Sequence, residues 1–169
     1  MSLPDFPGTN FLCQIVSGTG FVLSLNPKNA APGSQLILST PNLAELAQLW
    51  NYVFQPDIQA CILYNPAYGM YAAPQTLGQG AAVVLYACDD PTINLTAANT
   101  WQIQPAGTLA IRSPAVTSLN LNALGTTWQQ GTKIGLWTWG GGQPNETWTS
   151  KLVYIPYLDS SNGPPLRRA

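Results

Sequence analysis

Charged residues and histidine are what this 169-residue sequence has least of, and their scarcity excludes several classes of function. Charged side chains make up only 8%, and six Lys and Arg residues are too few to neutralise the phosphates of a nucleic acid. Because histidine is absent, neither a Cys/His zinc site nor a Ser-His-Asp triad can be built. No apolar run approaches the roughly 20 residues of a membrane-spanning helix. The composition therefore predicts no nucleic acid partner, no membrane span and no metal or other cofactor.

Cysteine is also scarce, and Cys13, Cys61 and Cys88 have spacings that match no metal-binding motif. Buried thiols in a reducing compartment are one interpretation. A Cys61–Cys88 disulfide, which would indicate secretion, is the other. The N-terminus has neither the positive region nor the apolar segment of a signal peptide. The sequence is therefore expected to be cytoplasmic or to be released by a route without a signal peptide.

Carboxylates are too sparse to indicate catalysis. The seven Asp and Glu residues include one adjacent pair, Asp89 and Asp90, and neighbours in sequence usually point apart. Glycoside hydrolysis, for example, needs two carboxylates at a fixed separation on either side of one bond. The sequence therefore predicts a protein that is not an enzyme.

What the chain has in abundance is short apolar runs separated by glycine and proline, with 15 of each. The runs FLCQIV (11–16), CILY (61–64) and AAVVLY (81–86) have the length of strands and are rich in β-branched and aromatic residues. Hydrophobic residues make up 46% of the chain, which argues against disorder. Many short strands at regular spacing predict an all-β barrel or sandwich.

The same four-strand pattern occurs three times, at intervals of about 49 residues. The aligned positions are Cys13, Cys61 and Ala110 on the first strand, residues 20–23, 69–72 and 118–121 on the second, residues 35–37, 84–86 and 135–137 on the third, and Trp50, Trp101 and Trp148 on the fourth. Three such repeats with pseudo-threefold symmetry predict a closed six-stranded barrel capped by three hairpins, because a propeller has at least about four blades.

These repeats set the expected domain organisation. They span about residues 10–58, 59–107 and 108–156, within a single domain of residues 1–158. Residues 159–169 are expected to form a flexible C-terminal tail.

The pattern resembles the ricin-type β-trefoil lectin family, in which a Gln-x-Trp motif occurs once in each of three repeats. Gln48-Leu49-Trp50 matches the motif in full, whereas Asn99-Thr100-Trp101 and Glu146-Thr147-Trp148 keep the Trp and replace the Gln. The resemblance covers about residues 10–156 and implies a β-trefoil fold. We expect the three Trp side chains to pack in the barrel core rather than to contact a ligand.

The resemblance also implies a shallow sugar site in each repeat, with an acidic residue on the second strand, an aromatic residue ending the third, and an amide before the Trp. An aromatic ring can cover the apolar face of a sugar, while amides and carboxylates pair with its hydroxyls. The third repeat matches best, with Asn120, Trp137, Asn145 and Glu146, and with Trp139 as an alternative platform. Asn120 stands where the family usually has Asp, which puts the family's galactose preference in doubt.

The other two repeats match less well. In the second repeat, a weaker site would consist of Tyr71, Tyr86, Asp89 and Asn99. In the first repeat, Val22 and Ile37 fall on the polar and aromatic positions, so no sugar site is predicted there.

The function that the resemblance implies is a non-catalytic lectin for terminal sugars of glycans or glycoconjugates, of galactose or GalNAc type. A homodimer would add sites and hence avidity. The alternative is a protein-binding β-trefoil without sugar binding, such as a protease inhibitor or an assembly module, because a fold does not determine a function. That alternative would need a long contact loop, for which residues 87–98 and 140–147 are the candidates.

Overall fold

The structure is a computed structural model that describes residues 12–88 and 95–153, and short β-strands make up most of it. The strands are β1 (Leu12–Ser17), β2 (Val22–Ser24), β3 (Ile37–Ser39), β4 (Asn51–Gln55), β5 (Ala60–Asn65), β6 (Met70–Pro74), β7 (Val83–Ala87), β8 (Gln102–Ile103), β9 (Ile111–Arg112), β10 (Leu119–Ala123), β11 (Ile134–Thr138) and β12 (Trp148–Val153). Single 3-10 turns lie at Pro27–Asn29, Leu46–Gln48, Ala97–Asn99 and Pro105–Gly107. Over the described ranges, no helix has the length and hydropathy to cross a bilayer. The predicted tail at 159–169 lies outside the described residues.

Six of the strands form a closed barrel. β12 pairs with β1, β4 with β5 and β8 with β9, all antiparallel. Shorter seams join these pairs, since Trp50 and Cys13 exchange two backbone hydrogen bonds of 2.9 Å, and Trp101 and Cys61 exchange bonds of 2.8 and 2.7 Å. The last seam is the hydrogen bond that Trp148 N–H donates to Leu109 O at 2.8 Å. Closure pairs the strand edges that an open sheet would expose.

The other six strands form three antiparallel hairpins, β2–β3, β6–β7 and β10–β11. The hairpins meet around the pseudo-threefold axis, where Leu36 N–H donates to Val83 O and Ile134 N–H donates to Leu36 O, each at 2.9 Å. Each hairpin is joined to the barrel by its own first strand, which gives three four-strand units. The chain is therefore a β-trefoil, as the repeats predicted.

The three repeated tryptophans lie at the centre of the core. Trp50, Trp101 and Trp148 are 0%, 0% and 1% exposed. Each indole N–H donates to a carbonyl oxygen on the second strand of its own repeat, at 2.8–2.9 Å. Burying a polar indole N–H is favourable only when it has such a partner. The prediction that these residues pack in the core rather than contact a ligand is confirmed.

The sequence alignment of the first repeat's third strand is wrong by two residues. Across the hairpins, Leu38 faces Leu23 in the same way that Leu85 faces Ala72 and Leu136 faces Leu121. The residue equivalent to Tyr86 and Trp137 is therefore Ser39, not Ile37. The error arises because the paired residues are 15 apart in the first and third hairpins but 13 apart in the second, so a constant interval fails.

The first strand of the third repeat is also offset, by one residue. Arg112 faces Asn120 as Tyr64 faces Tyr71, and Trp148 N–H bonds to the carbonyl of Leu109. Leu109, rather than Ala110, therefore takes the place of Cys13 and Cys61.

All three cysteines are thiols, so the Cys61–Cys88 disulfide that the sequence left open is not formed. Cys13 and Cys61 are buried, whereas Cys88 is exposed. Burial raises the pKa of Cys13 to about 12 and that of Cys61 to about 11, because the thiolate would lose its hydration. The expectation of buried thiols therefore holds for two cysteines and is wrong for Cys88.

Candidate functional site

Trp137 presents the most exposed of the six tryptophan rings, at 44% exposure. It lies on β11 directly opposite Asn120 of β10, as the site residues of the third repeat were expected to pair. Asn120, however, is fully buried. Its Oδ1 lies 3.5 Å from Arg112 Nε, and its Nδ2 lies 3.5 Å from Ser118 O, both at the limit of a hydrogen bond. Asn120 therefore supports the strand pair under Trp137 instead of facing solvent.

Asn145 is fixed to the same hairpin. Its Nδ2 donates to Asn122 Oδ1 at 2.6 Å and to Ala123 O at 3.2 Å. Within the described part of the chain no group donates to Asn145 Oδ1, so this oxygen can accept a hydrogen bond from a ligand. Asn122, which sequence reasoning missed, lies two residues from Asn120 and so on the same face of β10. The sequence signal that could have identified Asn122 was the alternation of two asparagines along one strand.

Glu146 is occupied within its own loop. The side chain is 2% exposed, and its carboxylate accepts hydrogen bonds from the backbone N–H groups of Gly140, Gly142 and Gln143 at 2.8–3.0 Å. The expectation that Glu146 meets sugar hydroxyls directly is therefore corrected: the carboxylate holds the loop between β11 and β12. Trp139 is partly buried against this loop, with its Cζ2 3.7 Å from where a Cβ on Gly142 would lie.

The polar residue two positions before each core Trp has the same role in every repeat. Gln48 Oε1 accepts from Asn42 N–H at 2.8 Å, and Asn99 Oδ1 accepts from Thr96 N–H at 2.7 Å. In all three repeats this side chain therefore satisfies backbone donors of the loop that leads to the Trp. Asn99 is only partly buried, and its expected sugar contact stays a prediction.

The second repeat has a smaller version of the platform. Tyr86 is partly exposed and lies opposite Tyr71, and the two rings stack with centroids 5.5 Å apart and planes at 23°. Tyr71 is buried, so it supports Tyr86 from the interior rather than offering a surface of its own. Asp89, the acidic residue expected at this site, lies outside the described residues.

The first repeat has a polar groove where the other two have aromatic rings. Ser39 stands at the platform position, and its Oγ accepts from Gln130 Nε2 at 3.0 Å. Gln130 Oε1 accepts in turn from Thr40 N–H at 2.6 Å. The side chains that line this groove include Asn42 and Gln48 but no aromatic ring.

Each platform position also borders a turn of the preceding repeat. Gly80 N–H donates to Leu136 O at 2.7 Å, Gly131 N–H to Leu38 O at 2.8 Å, and Gly33 N–H to Leu85 O at 2.8 Å. A Cβ on Gly80 would lie 3.7 Å from Trp137 Cζ3, so the Trp137 ring reaches the second repeat. Reasoning from sequence treated each repeat as a separate site and missed this neighbour, for which no local signal exists.

No family model and no curated protein sequence matches the chain, but solved structures do. The Rhizoctonia solani agglutinin has a TM-score of 0.69 and 18% identity, with 89% of this chain and 96% of that chain covered. The C-half of the earthworm R-type lectin, solved in complex with GalNAc, has a TM-score of 0.57 and 18% identity, over 85% and 99% of the two chains. The exo-beta-1,3-galactanase 1,3Gal43A from Clostridium thermocellum has a TM-score of 0.73 and 21% identity, over 88% of this chain but 31% of that one. At these identities the chain shares the fold of ricin-like β-trefoils.

Proposed function

We propose that this protein is a non-catalytic lectin whose main sugar site surrounds Trp137 on the third repeat. The observation that carries the proposal is the exposed ring of Trp137, whose backbone lies on a strand paired with β10 rather than on a loop. The repeated tryptophans Trp50, Trp101 and Trp148 are buried with their indole N–H groups bonded, whereas the ring of Trp137 leaves its surface open to a ligand. An aromatic face of this kind suits the apolar C–H face of a pyranose.

Hydrogen-bonding groups near the ring would orient the sugar. The Oδ1 of Asn145 accepts from hydroxyl donors, and its position is set by the bond from its own Nδ2 to Asn122. Glu146 contributes indirectly, because it holds the loop that precedes Asn145. One ring and a few hydrogen bonds make a shallow site, so we expect the Kd for a free monosaccharide to be on the order of millimolar.

The second repeat would supply a weaker site at Tyr86. Its ring is smaller than that of Trp137, although stacking on Tyr71 holds it in place. Two weak sites that engage one branched glycan bind far more tightly than either alone, because the second contact becomes intramolecular. A homodimer would have the same effect.

The agglutinin and lectin among the structural neighbours support a sugar-binding role, and the GalNAc complex supports a galactose or GalNAc type of sugar. A catalytic role is not proposed, although the fold also forms about a third of a galactanase chain. The carboxylate of Glu146, beside the proposed site, already accepts hydrogen bonds from three backbone N–H groups. It is therefore not available as one of the two carboxylates that glycoside hydrolysis requires.

A glycan array tests this proposal, with the unmodified protein compared with Trp137→Ala and Trp139→Ala. We expect binding to a defined set of terminal sugars that is strongly reduced by Trp137→Ala, which leaves only the weaker Tyr86 site, and retained by Trp139→Ala. Because Trp137 is an exposed residue outside the core, its removal should leave the fold intact, which circular dichroism would check.

Each contrary result has a distinct meaning. Loss of binding in Trp139→Ala alone would make that ring the platform, and binding that neither change diminishes would move the main site to Tyr86. No binding to any glycan would overturn the lectin proposal and leave the protein-binding β-trefoil as the function to pursue.

A further inference from the structure

We propose that Gln79, which belongs to the second repeat, determines the specificity of the Trp137 site on the third repeat by hydrogen-bonding a ring hydroxyl of the bound sugar. This inference rests on the proposed lectin function. The site would then be composite, with its platform in one repeat and one of its polar contacts in the repeat before it.

The first step is a turn that the three hairpins share. In each, the N–H of the fourth residue donates to the carbonyl oxygen of the first at 3.0–3.1 Å, and the third residue is a glycine with φ between +81° and +87°. A positive φ at the third residue is the mark of a type II turn, where glycine is favoured. The turns are Ala31-Pro32-Gly33-Ser34, Gly78-Gln79-Gly80-Ala81 and Gln129-Gln130-Gly131-Thr132. Pro32, Gln79 and Gln130 thus occupy one equivalent position.

The second step is the docking of these turns on the next repeat. The glycine N–H of the turn bonds to the carbonyl of the leucine that immediately precedes the platform position, at 2.7 Å for Gly80 and 2.8 Å for Gly131. The residues that follow those leucines are Trp137 and Ser39. Gln79 is therefore related to Trp137 as Gln130 is related to Ser39.

The third step is the observed position of the Gln130 side chain. Its amide reaches across to the first repeat, where Nε2 donates to Ser39 Oγ at 3.0 Å and Oε1 accepts from Thr40 N–H at 2.6 Å. By this equivalence, the residue that Gln79 would reach on the third repeat is Trp137, whose ring stands where the first repeat has the Ser39 hydroxyl. Gln79 is exposed, and among the described residues its side chain has no hydrogen-bond partner. The amide therefore has donor and acceptor both available, and the equivalence with Gln130 would place it at the edge of the platform.

The chemistry of the amide fits a sugar hydroxyl, which both donates and accepts. A pyranose stacked on Trp137 would turn one edge towards the second repeat, where Gln79 stands. The Tyr86 site provides an internal contrast, since its equivalent neighbour is Pro32, which carries no side-chain donor or acceptor. The two sites should therefore differ in which hydroxyl they require, not only in affinity.

Isothermal titration calorimetry with galactose, GalNAc, glucose and GlcNAc tests the inference on the unmodified protein, Gln79→Ala and Gln79→Pro. Proline is the natural residue at this position of the first turn, so Gln79→Pro keeps the turn while it removes the amide. Gln75→Ala is the matched control, because Gln75 is an exposed glutamine of the same loop whose side chain has no hydrogen-bond partner within residues 12–88 and 95–153. Near-ultraviolet circular dichroism would check that each variant is folded.

We expect both Gln79 variants to weaken the preferred sugar by about threefold to tenfold, the value of one hydrogen bond, and Gln75→Ala to leave its Kd unchanged. With monodeoxy forms of that sugar, the one lacking the partner hydroxyl should bind equally to the unmodified protein and to Gln79→Ala. Equal Kd values for the preferred sugar in all four proteins would overturn the inference and leave the lectin proposal standing. If the unmodified protein binds none of the four sugars and no glycan on the array, the lectin proposal fails and this inference fails with it.

Discussion

The carboxylate of Glu146 offers the sharpest test of how this site is held together. Glu146 is 2% exposed, and its carboxylate accepts hydrogen bonds from three backbone N–H groups of one loop, those of Gly140, Gly142 and Gln143. The loop residues themselves are exposed, so little hydrophobic packing holds them in place. We therefore expect the carboxylate to supply most of the loop's order.

The magnitude follows from which oxygen each donor uses. Gly142 and Gln143 bond to Oε1, whereas Gly140 bonds to both oxygens. Glu146→Gln can keep Oε1 and loses the charge and one contact, so we expect a cost of about 1 kcal/mol. Glu146→Ala leaves all three donors without this acceptor, and we expect about 3 kcal/mol, since water can reach the exposed loop and replace part of the loss.

Urea unfolding at neutral pH measures these costs, and Gln143→Ala is the control. That change removes an exposed side chain but keeps the backbone N–H that bonds to Glu146, so it should alter stability by less than about 0.5 kcal/mol. For a chain of this size, about 3 kcal/mol corresponds to a fall in Tm of roughly 6–12 °C. Glu146→Ala costing no more than Gln143→Ala would refute the reasoning, and so would equal costs for the Gln and Ala variants.

Four further predictions concern the core and the thiols. Trp50→Phe should lower the free energy of unfolding by about 2–4 kcal/mol, because it removes buried ring atoms and the hydrogen bond to Leu23 O. In the same urea titration, Trp137→Phe should cost less than about 0.5 kcal/mol. Gly135→Ala should lower the Tm, at a cost of about 1–3 kcal/mol, because its Cβ would lie 2.7 Å from both Ala81 O and Leu124 Cδ1; an unchanged Tm would contradict this packing. A thiol reagent at pH 8 should label Cys88 alone in the native protein and all three cysteines in urea. Burial raises the pKa values of Cys13 and Cys61 from 9.0 to about 12 and about 11. The stability that the two neutral thiols contribute is therefore complete below pH 9 and is lost as the pH rises towards those values. Cys13→Ala should make this fall in the free energy of unfolding shallower.

The fold could be predicted because its signals are local and occur three times. Trp50, Trp101 and Trp148 each close a repeat, and each must be buried for the same reason, the large apolar area of its ring. The hairpin strands around Trp137 and Tyr86 were placed in correct register, since an aromatic residue marks the equivalent position on the third strand of each. The first hairpin was misaligned because its length differs by two residues from that of the second, and a strand's pattern does not report the length of its loop.

The candidate site was predictable only in part. Trp137 and Asn145 could be proposed from the order of residues along one repeat, because a single hairpin and its following loop carry them. The roles of Glu146 and Asn99 could not, because their partners are backbone N–H groups, which every residue but proline has and which no sequence motif distinguishes.

By itself, the amino-acid sequence determined the all-β class, the three repeats and the identity of the core tryptophans, since these depend on the spacing of apolar residues along the chain. The tertiary structure alone decided that Ser39 takes the platform position of the first repeat, and that Gly80 and Gln130 border platforms of the repeats that follow them around the axis. Such contacts depend on how the three hairpins close around the threefold axis. Closure brings together residues about 50–90 apart in sequence, a separation across which no local pattern extends.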